Sequence, residues 1–360
     1  MNLSSQLFPI DGNQNIVSSV TKTDGSVAVI MRTQNRPILL ARAIESVIQQ
    51  KYSNWHLYLV NDGGNIRQVN ELIELYETDL DKKITVIHNQ HPLGMEAASN
   101  CGFSQANEEF MVIHDDDDSW DPEFLSETVQ FLQDNKSAIA VITNCFVVNE
   151  QIQNNIVKQL DVTEWALWRD FIDINNLLYN NVSPPICLLI RMEAAKLVGK
   201  FNENLPVLGD WDYLLRLFRV GEIKTLNKKL AYYHHRPNAK CIYGNSVISG
   251  LDKHMKYRIE YRNSLVRKAL MENQSNFGVL HVLLNDNKQK NDELLINFQM
   301  LQETNRFLME QMNILQSHLI SVTNEIFSIK RSLIYFEKRA FPLKRVARKI
   351  KEKIRKLRHK

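Results

Sequence analysis

The chain has 360 residues, 44% of them hydrophobic, and a net charge of only +3, which is long enough to bury a full core and hold more than one structural unit. The charge is uneven: residues 338–360 carry twelve Lys or Arg against the single acid Glu352, so this end is +11 and the remaining 337 residues are −8. No apolar run approaches the roughly 18 residues a bilayer-spanning helix needs, and the opening MNLSSQLFPIDGNQN lacks the charged and apolar regions of a secretory signal. Cys101, Cys145, Cys187 and Cys241 show no CxxC spacing, which suits reduced thiols in a cytosolic protein rather than a disulfide framework or a zinc site.

Residues 1–24 are polar and read as a flexible leader. From Ser26 onward, short runs rich in Val and Ile alternate with stretches of helical spacing. SVAVIMRT (26–33), WHLYLVND (55–62), KITVIHN (83–89), EFMVIHD (109–115) and IAVITNCFVV (139–148) read as strands. Helices are expected at 38–50, 69–78 and 95–106. That alternation predicts an α/β fold with a mostly parallel sheet covered by helices on both faces. After residue 150, PPICLLIRMEAAKLVGKF and DWDYLLRLFRVG read as a strand and two helices in a less regular half.

Beyond about residue 250 the strand signal stops. Residues 246–290 read as a helical connector with a polar break at NDNKQKND, and the folded α/β domain is placed at 25–245. Leu294, Phe298, Leu301, Asn305, Leu308, Met312, Leu315, Leu319, Val322, Ile326, Ile329, Leu333 and Phe336 then alternate at spacings of four and three. This is a coiled-coil register over 291–337, with Asn305 at an a position, a placement that sets register and oligomer state. A homo-oligomer, a parallel dimer, is expected through 294–336.

VIHDDDDSWDPEF (112–124) sets four aspartates in a row after a strand. In an open parallel sheet, ligands bind outside the carboxyl ends of the strands. There the first strand runs into Thr33 and Asn35, the second into Asn61-Asp62-Gly63-Gly64, and the fourth into Asp115 to Asp118. Hard carboxylate oxygens suit Mg²⁺ or Mn²⁺ that also holds phosphates, and such an ion would relieve the repulsion among Asp115, Asp116 and Asp117. Asp121 before Pro122 reads as a helix N-cap with proline at the first helical position.

These residues carry a resemblance. VAVIMRTQNRPILLARAIESVIQQKYSNWHLYLVNDGG, NQHPLGMEAASNCG, FMVIHDDDDSWDPEFL and GKFNENLPVLGDWDYLLRLFRVGEIKTLNKKLAYYHHRPN together resemble a family 2 glycosyltransferase with the GT-A fold, over about residues 25–240. The resemblance implies a nucleotide-diphosphate sugar donor, a Mn²⁺ or Mg²⁺ cofactor, and transfer with inversion to a saccharide or lipid-linked acceptor of the kind used in building polysaccharide or lipopolysaccharide. It implies nucleotide contacts at Thr33, Asn35, Arg36, Asp62, Gly94, Asp115 and Asp116, with Asp62 reading the base and Asp116 on the ribose side. Metal ligands are implied at Asp117 and Asp115, with His235 or its neighbour His234 as a further candidate. Asp210 matches the general base that takes the proton of the acceptor hydroxyl, and Asp212 is its structural twin.

Four positions depart from the family pattern. Arg32 stands where proline is usual, Gln34 where an aromatic residue often sits, Ser99 for a frequent arginine, and Gly209 for a frequent glutamate before the base. Gly209 is therefore expected to loosen what holds Asp210. Trp165, Trp168 and Trp211 are candidates for stacking on acceptor sugars, with core packing favoured for the first two. A catalytically silent scaffold of the same fold is the alternative function. A nucleotidyltransferase is disfavoured because no Gly-rich, lysine-bearing phosphate loop follows the first strand.

The last segment, 338–360, reads as a basic amphipathic tail. Leu343, Val346, Ile350, Ile354 and Leu357 share one helical face and basic residues fill the rest, which suits an anionic membrane surface. Nucleic acid satisfies the same electrostatics. No base-reading motif accompanies the run, so no nucleic-acid partner is expected. The implied location is cytoplasmic and peripheral, on the inner face of the plasma membrane.

Overall fold

Every residue of strand β1 (Val27–Thr33) except Arg32 is buried, so its apolar run lies inside a sheet covered on both faces. The computed structural model describes residues 24–358 apart from 155, 238, 240–242, 245–250 and 274–275. The expected leader, all but Asp24, and the expected boundary at 245/246 therefore lie outside the described residues, as does Cys241. Cys101, Cys145 and Cys187 are free thiols.

Helix α1 (Pro37–Ile48) begins on a proline, whose missing N–H costs nothing at that position. It buries Leu39, Leu40, Ala43, Ile44 and Val47, one stripe of a 3.6-residue repeat. Then follow β2 (Trp55–Asp62), α2 (Ile66–Glu74), the short α3 (Glu77–Leu80), β3 (Ile84–Asn89), α4 (Met95–Phe103) and β4 (Phe110–Asp115). Helix α2 starts three residues earlier than its apolar spacing predicts, because the Asn65 side chain caps it by accepting from the Gln68 N–H at 3.2 Å. Strands β3, β2, β1 and β4 lie side by side and parallel, as expected. Their register sets Thr33 beside Asn61, Asp62 beside Asn89, and Arg32 beside Asp115. The polar ends of these strands thus form one rim.

The second half is mixed rather than parallel. After β5 (Ser119–Trp120), α5 (Phe124–Asp134), β6 (Ala138–Gln153), β7 (Ile156–Glu164), α6 (Ile174–Tyr179), β8 (Leu188–Arg191), α7 (Met192–Val198), α8 (Gly209–Phe218) and β9 (Glu222–His235), the strand order is β3-β2-β1-β4-β8-β6-β9-β5, with β7 paired to β6. β8 runs antiparallel to both β4 and β6, β5 antiparallel to β9, and β9 parallel to β6. β6 extends past the apolar run that announces it and forms a hairpin with β7, whose residues are nearly all exposed. A strand with little buried surface has no apolar run to reveal it.

Asp121 does not cap α5 in the expected way. The helix begins at Phe124, and the Asp121 carboxylate instead accepts from the Glu123 N–H at 2.9 Å in the preceding turn. The core joins both halves through Phe110, Val112, Phe124, Val141, Leu189 and Trp211.

Helix α9 (Leu251–Glu272) contributes Tyr261, whose hydroxyl donates to Asp212 at 2.8 Å. The chain divides into two compact units, residues 1–264 and 265–360. In the second, helix α10 spans Asn276–Leu357 without interruption. The expected break at 285–292 is not one. That segment is polar but holds no Gly or Pro, and Asn, Asp, Lys and Gln each cost a helix well under about 1 kcal/mol. Coiled-coil register and basic tail thus lie on one helix, with Pro342 inside it.

Candidate active site

The four consecutive aspartates are separated by a tight turn. The Asp118 N–H closes on the Asp115 carbonyl at 3.2 Å, and the carboxylates leave in different directions. Asp115 accepts from Arg32 Nε at 3.0 Å. Asp116, wholly buried, accepts from Thr33 Oγ1 at 2.7 Å and is paired with Arg36. Asp117 is paired with Arg36 at 3.3 Å and with the buried Arg236. Asp118 accepts from the His234 N–H at 2.9 Å, and its other oxygen has no hydrogen-bond partner among the described residues. The sequence reading assigned relief of the repulsion to a cation. In the structure, three arginines from other segments provide it.

The electrostatics follow from these partners. Burial lifts Asp116 to about 6, against the pull of Arg36. Burial also acts to raise Asp117, but Arg36 and Arg236 outweigh it and hold that carboxyl below its ordinary range. Asp118, buried beside the charge of Asp117, is pushed well up. Arg42 and Arg236 both bond Glu150, at 2.7 Å each, and Arg42 also donates to the Asp117 carbonyl at 2.6 Å. His234 completes this buried cluster through Glu150 at 2.9 Å and Ser119 at 2.8 Å.

Beside the turn opens a cleft of about 370 Å³, within the usual range of small-molecule sites. It is lined by Arg32, Thr33, Gln34, Asn35, Arg36, Asp62, Gly94 and Asp115 among others. Six of the seven expected nucleotide residues therefore share one cleft. Asp116 does not line it, because both of its oxygens are taken by Arg36 and Thr33 beneath the surface. Asp62 shapes the far wall: its carboxylate accepts from Asn89 at 2.9 Å and from the N–H groups of Leu93 and Gly94 at 2.8 and 2.9 Å. Gln34 ties the wall to the first strand by donating to the Asp62 carbonyl at 2.9 Å.

Asp210 stands in the first turn of α8. Its carboxylate accepts from Asn181 Nδ2 at 2.7 Å and from the Trp211 N–H at 2.8 Å. Burial raises its pKa, while the charge of Arg32 pulls the other way. The residue entering the helix, Leu208, sits at φ 69°, a left-handed conformation a leucine adopts only when its surroundings impose it. Arg32 links this side to the cleft. It binds Asp115, donates to Ser99 Oγ at 3.1 Å and to the Met95 carbonyl at 3.2 Å, and lies 3.9 Å from Glu96. Asp212 turns away to Arg216 and Tyr261, as expected of a structural twin.

The expected ligand set Asp115, Asp117 and His235 does not form a closed metal cage. Among the described residues no three His, Cys, Asp or Glu side chains converge on a metal position, and Asp115 is held by Arg32. Asp117 is likewise paired, with Arg36 and Arg236. His235 Nε2 is buried with no hydrogen-bond partner among the described residues, and burial, aided by the charge of Arg236, lowers its pKa against the pull of Asp117. A buried imidazole nitrogen without a partner is the kind of donor a divalent ion takes beside substrate oxygens and waters.

Trp211 cannot stack on a sugar: it is buried, and its Nε1 donates to the Leu177 carbonyl at 2.6 Å. Trp165 packs edge-on against Tyr233 and bonds the Val182 carbonyl at 3.0 Å, but from an irregular segment rather than a helix. The sequence reading passed over Arg42, Glu96, Glu150 and Arg236. Arg236 alone had a visible signal, as the residue after two histidines in YYHHRPN.

The cleft thus lies at the carboxyl ends of parallel strands, walled by arginines and carboxylates. Residues 28–198 match the model of glycosyl transferase family 2. A protein of Escherichia coli (strain K12) named for colanic acid biosynthesis, glycosyl transferase WcaA, is 39% identical over 106 residues, 29% of this chain and 37% of that protein. An uncharacterized glycosyltransferase of Haemophilus influenzae is 23% identical over 327 residues, 87% of this chain and 95% of that one. Among solved structures, S. aureus TarS 1-349 in complex with UDP-GlcNAc aligns over 60% of this chain and 62% of that one, with TM-score 0.49 and 18% identity. Residues 28–198 thus carry a family 2 glycosyltransferase domain, and the chain spans little more than a third of the length of the first of these relatives.

Proposed function

We propose that the enzyme moves a sugar from a nucleotide-diphosphate donor to a hydroxyl of a saccharide or lipid-linked acceptor, with inversion and with Asp210 as general base. The observation that carries this reading is that Arg32, on the donor cleft, bonds Asp115 and lies 3.9 Å from Glu96, which packs against Gly209 next to Asp210. The donor's diphosphate fits the cleft floor, where Arg32 and Arg36 supply charge-assisted donors. Asp62, Asn35 and Gly94 surround the nucleotide. Asp210, held by Asn181 and its own helix N-terminus, is made more basic by burial and accepts the acceptor's proton. Asp117 and His235 would hold a divalent ion, Mn²⁺ or Mg²⁺, whose charge stabilises the departing diphosphate when bound.

Two readings concern placement. Twelve apolar seam residues of α10 are each more than half exposed in the single chain, which supports pairing with a second copy as a parallel dimer. The exposed apolar face from Leu343 to Leu357 on a basic helix supports attachment to an anionic membrane surface. Among the described residues no helix is long and apolar enough to cross a membrane.

The catalytic reading is tested by screening UDP- and GDP-sugars for hydrolysis with Mn²⁺, with Mg²⁺ and with EDTA, and repeating the screen with Asp210→Asn. Metal-dependent turnover of at least one donor, falling about 100-fold or more in the variant, is expected. Undiminished turnover in Asp210→Asn would remove it from the role of base.

A further inference from the structure

Gly209, directly before Asp210, is not an empty position. A Cβ built on it would lie 2.2 Å from Glu96 Cδ and 2.3 Å from Glu96 Oε1. The end of the Glu96 side chain, reaching over from α4, therefore occupies the volume that any side chain at 209 would need. Glu96 is 5% exposed, so it is a buried carboxyl with a defined place. Its base is also fixed, since Glu96 lies in the first turn of α4, two residues after Gly94, whose N–H is held by Asp62. Its described ionic contact is Arg32 at 3.9 Å.

Four groups are thereby connected. Arg32 touches Asp115 on the donor side and Glu96 on the other, and Glu96 rests on the peptide that carries Asp210. Three of the four departures noted in the sequence, Arg32, Ser99 and Gly209, fall together here. Arg32 fills space beside Ser99, bonding its hydroxyl, and Glu96 fills space beside Gly209. Each missing side chain is faced by a residue of the same charge arriving from another segment. The volume that a side chain at 209 would fill is thus taken by Glu96.

On the reading that Asp210 is the general base, we infer that Glu96 is the positioning residue that holds the Gly209–Asp210 turn in its reactive place. Its carboxyl packs as a strut between that turn and the Arg32–Asp115 pair. It acts through Asp210 rather than by touching the acceptor. A strut of this kind affects the chemical step more than donor binding, because the donor cleft is walled by other residues.

The test uses the full-length chain and whichever UDP- or GDP-sugar the hydrolysis screen finds turned over, with UDP and GDP as binding probes. Glu96→Ala is expected to lower kcat at least tenfold while KM for the donor and affinity for the nucleoside diphosphate stay within about twofold. Glu96→Gln keeps the shape and should retain kcat within about threefold. Gly209→Glu alone should be severely impaired by collision with Glu96. The double variant Glu96→Ala/Gly209→Glu returns a carboxyl to the same volume and should recover at least half of the lost activity on a logarithmic scale. Wild-type kcat in Glu96→Ala would overturn the inference, as would a double variant no better than Glu96→Ala. If Glu96→Ala does not fold, the double variant decides alone: regained folding with near-normal kcat supports the strut, and its absence refutes it. Asp210→Asn run in parallel separates the two levels. An active Asp210→Asn defeats the assignment of the base, whereas an inactive Asp210→Asn beside a normal Glu96→Ala defeats only the strut.

Discussion

Arg236 and Asp117 form an ion pair whose guanidinium is completely buried, between the turn after β4 and the end of β9. The same guanidinium bonds Glu150 at 2.7 Å and the Tyr243 carbonyl at 2.8 Å. Removing the cation leaves two buried carboxylates short of a partner, and breaking such a pair costs about 3–5 kcal/mol. Arg236→Met should therefore lower the urea midpoint sharply at unchanged slope. Glu150→Gln, which deletes one of the stranded charges, should return part of the loss when combined with it. Additive effects in that pair would show that the cluster is not a unit.

Gly63 stands at φ 70°, with its missing Cβ 2.4 Å from Pro92 N and 2.6 Å from the His91 carbonyl carbon. Neither neighbour is a flexible tip that could move aside. Gly63→Ala should cost about 1–3 kcal/mol from backbone conformation and collision. The displaced segment carries the Leu93 and Gly94 N–H groups that hold Asp62, so affinity for UDP or GDP should fall at least tenfold. Titration calorimetry at a temperature where the variant is fully folded separates the two effects. Unchanged nucleotide affinity would show that the wall does not depend on this turn.

The donor half was legible because its signals are local. β1 to β4 are apolar runs, and parallel register alone carries Thr33, Asp62 and Asp115 to one rim. Arg236, Glu150 and Glu96 were not legible because their roles arise across 86 residues of separation in one case and 113 in another, Gly209 being the partner of Glu96. No spacing rule spans such distances. Strand β7 escaped for the opposite reason: it buries so little that it needs no apolar pattern. Asp116 is wholly buried while Asp115 lines the cleft, a difference that a run of identical letters does not carry. The turn decides that.

Burial, against the charge of Arg32, lifts the Glu96 carboxyl from an ordinary 4.5 to about 7. Below pH 4.5 both native and unfolded chains hold this proton. Between 4.5 and about 7 the unfolded chain releases it while the native one keeps it, so rising pH favours unfolding. The contribution is present in full at low pH and is lost through that window, with a ceiling of about 3 kcal/mol. Glu96→Gln cannot ionise, so its stability relative to the wild type should rise steadily from pH 4.5 to 7 in urea titrations. A constant difference across that range would mean that Glu96 ionises in the native protein as it does in water.

The end of α10 sets Leu343, Val346, Ile350, Ile354 and Leu357, all at least about half exposed, on a helix that is basic elsewhere. Each Lys or Arg close to an anionic bilayer adds about 1 kcal/mol, weakened by salt. Two tails brought together by the proposed pairing of α10 would bind far more tightly than one alone. The full chain should co-sediment with phosphatidylglycerol vesicles at low salt, and neither with phosphatidylcholine vesicles nor after truncation at Glu337. Ile350→Asp/Ile354→Asp spoils the apolar face and leaves all twelve Lys and Arg residues of 338–360 in place. It should abolish vesicle binding, whereas a nucleic-acid-binding tail would keep most of its affinity for duplex DNA. Replacing Asn305 with leucine, which removes the polar a position, should change the oligomer mass seen by sedimentation and alter vesicle affinity with it. Vesicle binding unaffected by the two aspartates would show that charge alone holds the tail, and the apolar face would then need another partner.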